Sequence, residues 1–196
     1  KSEKNDFIQI IKNMNLSEKM EEQVRNIIYQ YRVGDIVEIK ESKTPETYVL
    51  KDSGNFLPID ISQIFLRKSG KWDENCVKVF LIDGIIERIS QVHHLLEKAS
   101  QEKDPYLIIC RRASDEVRET IGVNFIRETI NLVLVETDFD VLYHHLFRDL
   151  SAIFNCDFVN IQMGDSLSSR LDRFEFIVDR VVISKKGINF LNDIEN

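Results

Sequence analysis

The sequence predicts an α/β protein built around a parallel sheet. Between residues 77 and 136, three short runs rich in β-branched residues alternate with two segments in which apolar residues recur at helical spacing. Strand, helix, strand, helix and strand joined by short connections is the pattern of consecutive βαβ units. The 196 residues are 43% apolar and 30% charged, which is ordinary for a globular protein with enough chain for one domain and a small addition.

The residues ahead of this block predict a helical region followed by short strands. Residues 5–31 are expected to form two helices, and either Asn15 or Ser17 can cap the second of them. Residues 41–76 are the least periodic part of the chain, because turn-forming groups such as Ser69-Gly70-Lys71 interrupt them. The strands predicted in these two regions cover residues 35–39, 48–50 and 64–66.

The central block itself predicts three strands and two amphipathic helices. The strands cover residues 77–82, 106–111 and 131–136, and the helices cover residues 84–100 and 114–128. One stripe of the first helix is expected to pack on the sheet, namely Ile86, Ile89, Val92, Leu95 and Ala99. The inward positions of the second helix include Val117, Ile121, Asn124 and Ile126.

The residues after the block predict one more helix and a β-rich end. A helix over 141–154 precedes a strand over 158–162, and residues 171–176 fit either a helical turn or the start of a strand. A final pair of strands, 181–184 and 188–191, flanks a turn at Lys186-Gly187.

Charge and cysteine content narrow the classes of partner and environment. A net charge of −7 and a pI near 5.2 argue against nucleic acid or an anionic membrane as a partner, because no basic field is present. The longest apolar runs are far shorter than the ~20 residues that a membrane-spanning helix requires. The three cysteines have no metal-type spacing, and Cys110 and Cys156 are expected to be small buried hydrophobic residues in a reducing compartment.

Motifs for catalysis or metal binding are scarce. The seven glycines form no phosphate-binding loop, and no Walker-type lysine is present. His93-His94 and His144-His145 are adjacent pairs on predicted helices, where neighbouring side chains point about 100° apart and cannot chelate one ion. Each pair is expected to place one ring on the apolar face and the other in solvent.

Polar residues at the predicted strand ends allow two further hypotheses. Glu136, Asp138 and Asp140 could hold a cation where open α/β sheets place their ligands, although a solvated acidic turn is favoured. An enzyme that uses Asp83, Arg111 and Glu136 would need a convergent set of polar groups, which the sequence does not assemble.

The order of elements and short motifs in the central block allows comparison with known families. The block begins with an apolar strand that ends in Asp, followed by an amphipathic helix and a Lys-x-Pro motif. An apolar strand, a helix with an acidic start and a further strand come next. Here they are Leu81-Ile82-Asp83, residues 86–99, Lys103-Asp104-Pro105, residues 107–109, residues 114–127 and residues 132–135. This arrangement resembles the apical domain of group I chaperonins, the bacterial and organellar type.

The flanking residues extend the resemblance. Residues 24–39 are similar to the intermediate-domain segment that leads into the chaperonin apical domain, and residues 179–192 to the segment that returns from it. The resemblance therefore implies an intermediate-domain-like helical segment and strand at 1–40, an apical, polypeptide-binding domain at 41–184 and a return segment at 185–196. The implied fold is α/β, with a parallel βαβ core flanked by helices and a small β-rich subregion.

The two helices of the block carry the functional implication of this resemblance. In the family they line a groove that binds extended apolar segments of non-native polypeptides, and the mobile loop of the co-chaperonin competes for the same place. The residues that match the groove positions are His93, Leu96, Ser100, Arg118, Gly122, Val123 and Asn124.

The groove departs from the family pattern at several positions. Leucine is usual where His93 and Arg118 stand, and valine is usual at Gly122. Each missing aliphatic side chain removes up to ~1.5–3 kcal/mol of apolar attraction. Glycine within a helix also costs roughly 1 kcal/mol relative to alanine, which indicates either close backbone approach at Gly122 or drift. Phe125 is expected either to join the core or to rebuild an apolar rim.

The resemblance also implies what lies outside these residues. The chain begins with Lys1 and lacks the phosphate motif of an equatorial domain, so we expect an excised piece of a longer protein. ATP and Mg²⁺ would bind the parent protein, this piece would be catalytically inert without a cofactor, and ring assembly would need the missing equatorial domain. A mitochondrial or plastid-type organelle is expected, with cytoplasm as the alternative. The second hypothesis is a stand-alone scaffold or regulatory domain that binds one specific protein partner.

Overall fold

A computed structural model describes residues 16–30, 54–139, 143, 145–165 and 175–191, and the chain divides into two compact units, Lys1–Asp52 and Ser53–Asn196. In the first unit, helix α1 spans Glu18–Gln30, and its first turn carries Glu18 and Glu21, which suit the positive end of the helix dipole. This confirms the second predicted helix. The predicted helix before Ser17, the strands at 35–39 and 48–50, and the domain boundary at 40/41 lie outside the described residues.

The second unit contains a mixed sheet. Its described strands are β1 (Asn55–Leu57), β2 (Lys71–Ile86), β3 (Tyr106–Ala113), β4 (Leu132–Glu136), β5 (Val159–Asn160), β6 (Phe176–Ser184) and β7 (Gly187–Leu191). The order is β1-β7-β6-β2-β3-β4, and β5 pairs with β2. Strands β2, β3, β4 and β5 pair in parallel, whereas β6, β7 and β1 extend the sheet by antiparallel pairing. The α/β class is confirmed, and the sheet is mixed rather than parallel throughout.

Strand β2 is much longer than its apolar run predicted. Its first half pairs with β6, and its second half pairs with β3. The sequence pattern did not predict a strand at residues 71–76, because most of these residues are polar and exposed. Among them only Trp72 is completely buried. At the other end, Gly84 and Ile86 continue the strand, so the prediction of a helix from residue 84 is wrong. A side chain at Gly84 would collide with Ile161, which explains the glycine there.

Helix α2 (His93–Glu102) follows a 3-10 turn at Ile89–Gln91. The Gln91 side-chain oxygen accepts hydrogen bonds from the backbone N–H groups of Glu87 and Arg88, which fixes this turn before the helix starts. The buried stripe is confirmed for Val92, Leu95 and Ala99, while Ile89 is partly buried.

Helix α3 (Asp115–Ile126) matches its prediction closely. The Ser114 hydroxyl accepts a hydrogen bond from the backbone N–H of Val117 and caps the helix. Val117 and Ile121 are buried as expected, but Ile126 is 64% exposed and Phe125 is buried instead. Spacing of four residues places Phe125, and not Ile126, in line with the other two inward side chains. Phe125 is therefore a core residue.

Three further predictions need correction or extension. Residues 64–66 do not form a strand, because Gln63–Phe65 is a 3-10 turn in which Phe65 inserts into the core. Helix α4 spans Leu146–Phe154, and residues 141, 142 and 144 of the predicted helix lie outside the described part. The strand predicted at 158–162 is reduced to β5, followed by a 3-10 turn at Ile161–Met163. The final strand pair is confirmed as the hairpin of β6 and β7.

The cysteines differ in their surroundings. Cys110 is buried in β3, and its burial raises the pKa of the thiol strongly. Cys156 is half-buried, and desolvation raises the pKa of its thiol to about 11. Cys76 is exposed. Within the described residues, no helix combines the length and the apolar character needed to cross a bilayer.

Candidate functional site

Helices α2 and α3 form the surface that the sequence singles out. Each connects neighbouring parallel strands, α2 between β2 and β3 and α3 between β3 and β4. Right-handed crossovers in one direction along a sheet place successive helices on the same face. Contact between α3 and the 3-10 turn that leads into α2 agrees with this arrangement. The outward sides of α2 and α3 are called the two-helix surface below.

On α2, the three predicted groove residues differ in character. His93 is 67% exposed, and its Nε2 atom lies 3.5 Å from Oε1 of Glu97. Leu96 is partly buried against the core, and Ser100 is exposed. Leu96 is therefore the residue of this set that offers apolar surface.

On α3, Arg118 is held toward the ends of β3 and β4. Its Nε donates to Glu136 Oε2 at 2.8 Å, Nη2 donates to Glu136 Oε1 at 3.0 Å, and Nη1 donates to Asp115 Oδ1 at 2.6 Å. Nη2 also donates to the Ala113 carbonyl at 3.1 Å. The hydrogen bond to Glu136 raises the pKa of the Arg118 guanidinium above its ordinary value. The positive charge of Arg118 is thus neutralised locally, although its side chain stays 38% exposed.

Gly122 is buried beneath a side chain from another segment. A Cβ atom built on Gly122 would lie 2.6 Å from Cδ1 of Ile64, in the 3-10 turn Gln63–Phe65. The glycine therefore permits close approach, which was one of the two explanations that the sequence left open. Sequence reasoning missed Ile64 because its short apolar run was taken for a strand.

The remaining α3 positions combine an internal amide with exposed apolar side chains. The Asn124 side chain donates to the Thr120 carbonyl at 2.8 Å and accepts from the Thr129 hydroxyl at 2.9 Å, so it closes the end of the helix. Val123 is 42% exposed and Ile126 is 64% exposed. These two residues are one turn apart on α3, and the partly buried Ile64 lies over the adjacent Gly122. Val123, Ile126 and Ile64 are called the α3 strip below.

A second cluster of polar groups lies at the C-terminal ends of the parallel strands. Arg111 is only 5% exposed, and its Nε donates to Asp83 Oδ1 at 2.6 Å. Its guanidinium carbon lies 4.6 Å from the ring centre of Phe147 and 5.9 Å from that of Phe139. Its Nη1 also donates to the backbone carbonyls of Tyr143 at 2.9 Å and Asp138 at 3.4 Å, so Asp83 and these backbone acceptors together bind the buried guanidinium.

Beside this pair lies an open pocket of about 610 Å³ between the end of the sheet and the start of α3. Arg112 makes two hydrogen bonds with Asp138, at 2.8 and 3.0 Å, and these bonds hold the pKa of Asp138 below its usual value. Glu136 is paired with Arg118 in the same way. Because Asp138 and Glu136 are each hydrogen-bonded to an arginine, these two carboxylates are poorly suited to hold a cation. Among the described residues, no group of three or more His, Cys, Asp or Glu side chains is arranged to bind a metal.

Comparison with known proteins shows a similarity that covers most of the chain. No family model matches the chain. A curated protein of Arabidopsis thaliana, chaperonin 60 subunit alpha 2, chloroplastic, is 28% identical over 163 residues. The match covers 81% of this chain but only 28% of that protein, so the chain spans little more than a quarter of its relative's length. This similarity supports a relationship to chaperonins that extends well beyond the central strands and helices.

Proposed function

We propose that this chain is the apical domain, with part of the intermediate domain, of a group I chaperonin subunit, and that it binds non-native polypeptides between α2 and α3. The observation that carries the proposal is the similarity to a chaperonin 60 subunit over 81% of this chain. The apolar side chains exposed on α3 agree with such a role. The proposed binding residues are His93, Leu96, Ser100, Arg118, Gly122, Val123 and Asn124.

The chemistry of such a surface is non-directional. Non-native polypeptides share no sequence, but they expose apolar side chains. Burial of apolar surface contributes a favourable binding free energy of about 25 cal/mol per Å². Leu96, Val123 and Ile126 offer that surface, because each keeps part of its side chain in solvent. The paired Arg118 adds its aliphatic stem without an isolated charge.

The proposal extends to the parent protein. The mobile loop of a co-chaperonin would compete for the same surface, and ATP with Mg²⁺ would bind in an equatorial domain that also forms the ring. In this proposal residues 1–40 belong to the intermediate domain and residues 41–184 form the apical domain together with β7, which pairs with β6 and β1 in the same sheet. The piece itself performs no catalysis. A plastid-type organelle is the proposed location, since the relative is a chloroplast protein.

Binding of a fluorescein-labelled extended peptide, in which leucine alternates with serine, tests this function. We expect micromolar affinity by fluorescence anisotropy, and a loss of roughly tenfold or more in Leu96→Glu and in Val123→Glu, because a buried carboxylate must be desolvated. The matched control is Met163→Glu at a residue that is 80% exposed outside both helices. A folded wild-type chain that binds no peptide, or equal losses in all three variants, would contradict the proposal.

The alternative function is a stand-alone scaffold or regulatory domain that binds one specific protein partner. It is favoured by the polar character of the surface at His93, Ser100 and the Arg118–Glu136 pair. The length of the parent gene separates the two proposals. Flanking equatorial sequence supports the chaperonin subunit, whereas a native stop codon close to residue 196 supports the scaffold.

A further inference from the structure

The position of Ile64 on α3 bears on what the two-helix surface can accept. Its Cδ1 atom occupies the space where a side chain at Gly122 would otherwise stand. Gly122 is buried for this reason, even though the neighbouring Val123 and Ile126 are exposed. A side chain from a bound polypeptide could reach the helix at Gly122 only by displacing Ile64.

The segment that carries Ile64 is held by the residues that directly follow it. Phe65 is 1% exposed and meets the ring of Phe125 edge-on, with 5.6 Å between ring centres. Arg67 lies over the same ring at 6.0 Å and donates hydrogen bonds to Glu74 at 2.7 Å and to Asn131 at 3.1 Å. These contacts anchor the backbone just after Ile64, so a swing of the segment away from Gly122 would break them.

We infer that Ile64 is a built-in occupant of an apolar notch at Gly122, and that it sets which side chains the two-helix surface accepts. Ile64 fills the notch, so in the wild-type protein the surface at Gly122 is raised by the Ile64 side chain and offers no recess to a bound polypeptide. Extended segments with small or large apolar residues would meet this same raised surface of the α3 strip. Truncation of Ile64 would open the notch and make the surface selective for a large aliphatic side chain. This inference rests on the proposed function for its ligand, but not for its geometry.

The geometry is tested without any ligand. In protein labelled at the Cδ1 methyl groups of isoleucine, a nuclear Overhauser contact is expected between the Ile64 methyl and the Gly122 α-protons. Its absence in the folded chain would overturn the inference and would leave the proposed function standing.

Selectivity is tested with two peptides that differ in one central residue, leucine or alanine, in the alternating leucine–serine background. Wild type is expected to bind both peptides within about twofold. Ile64→Ala is expected to favour the leucine peptide by about tenfold, as one to two newly buried methylene groups provide. Gly122→Val together with Ile64→Ala refills the notch from the helix and should abolish the preference.

The outcomes are distinguishable from one another. Equal binding of both peptides by Ile64→Ala, or a preference that persists in the double variant, would overturn the inference alone. A control variant, Ile177→Ala, removes an isoleucine that is 60% exposed on β6 and should leave the wild-type pattern unchanged. If the methyl contact is present but no variant binds either peptide, both the proposed function and the role of Ile64 in selectivity fail.

Discussion

At the scale of single residues, buried and exposed ion pairs in this protein have different energetic roles. Arg111 is enclosed by two aromatic rings and paired with Asp83, whereas Arg180 pairs with Asp73 at the surface. Removing one partner of a buried pair leaves the other charge desolvated without a counter-charge. An exposed pair is screened by water and contributes little.

Asp83→Asn is therefore expected to lower the free energy of unfolding by about 2–3 kcal/mol. The matched change Asp73→Asn, in a pair whose side chains are 42% and 49% exposed, should cost about 0–1 kcal/mol. Urea unfolding of both variants measures the difference. Equal losses would show that Arg111 is stabilised mainly by its aromatic neighbours and backbone acceptors.

The sequence predicted the type of many side chains but not the long-range contacts that determine their roles. The inward positions Val117 and Ile121 followed from helical spacing, as did the burial of Leu95 and Ala99. Ile64 could not be predicted, because its contact with Gly122 joins two elements that are distant in the chain. The ion pair between Arg118 and Glu136 could not be predicted for the same reason, since Glu136 belongs to the following strand.

At the scale of elements, the start of the parallel sheet is tied to the end of α2 by one lysine. Lys78 on β2 is in ion-pair contact with Glu102 and, at 2.9 Å, with Asp104, while the Tyr106 hydroxyl donates to Glu102. The hydrogen bond to Glu102 raises the pKa of Lys78, and burial raises the pKa of Tyr106. Both groups therefore hold their protons more tightly in the folded chain than in the unfolded one.

This sign predicts a loss of stability at alkaline pH. The contribution of Lys78 and Tyr106 is complete below their unfolded pKa values, near 10 to 10.5, and falls as the pH rises above them, because only the unfolded chain releases the protons. Tyr106→Phe should flatten the decline above pH 10 without changing the slope between pH 6 and 8. Urea unfolding of wild type and Tyr106→Phe between pH 6 and 11 measures the free energy of unfolding at each pH. An alkaline slope that is the same in both proteins would contradict the role given to Tyr106.

Element boundaries show why local pattern predicts some elements better than others. Helix α3 was predicted within two residues because Ser114 and an acidic first turn mark its start. The start of α2 was placed too early, since Ile86 and Ile89 fit a helical stripe equally well while one belongs to a strand and the other to a 3-10 turn. Tertiary pairing with β3, which is not visible in local spacing, keeps residues 84–86 in the strand.

At the scale of the whole molecule, the buried core of the described residues belongs to the second unit, from Leu57 to Phe190. The single tryptophan, Trp72, is completely buried in that core and donates a hydrogen bond to Asn131. Its fluorescence therefore reports on the second unit alone.

We expect residues 53–196 to fold without the first unit. Their urea midpoint, followed by Trp72 fluorescence, should agree with that of the full chain, because the core lies within them. Peptide binding should also persist, since both helices of the two-helix surface are included. A midpoint lowered substantially in the shorter chain would show that residues 1–52 stabilise the sheet.

The double pairing of β2 has a consequence for biosynthesis. Asp73 on β2 and Arg180 on β6 are 107 residues apart in the sequence, while β3 and β4 follow β2 closely. During N-to-C synthesis, the parallel side of the sheet can assemble before β6 leaves the ribosome. In that interval β2 presents an unpaired edge, which is a template for pairing with other chains. The proposed chaperonin subunit would therefore pass through a stage of its own synthesis at which the β2 edge needs protection from aggregation.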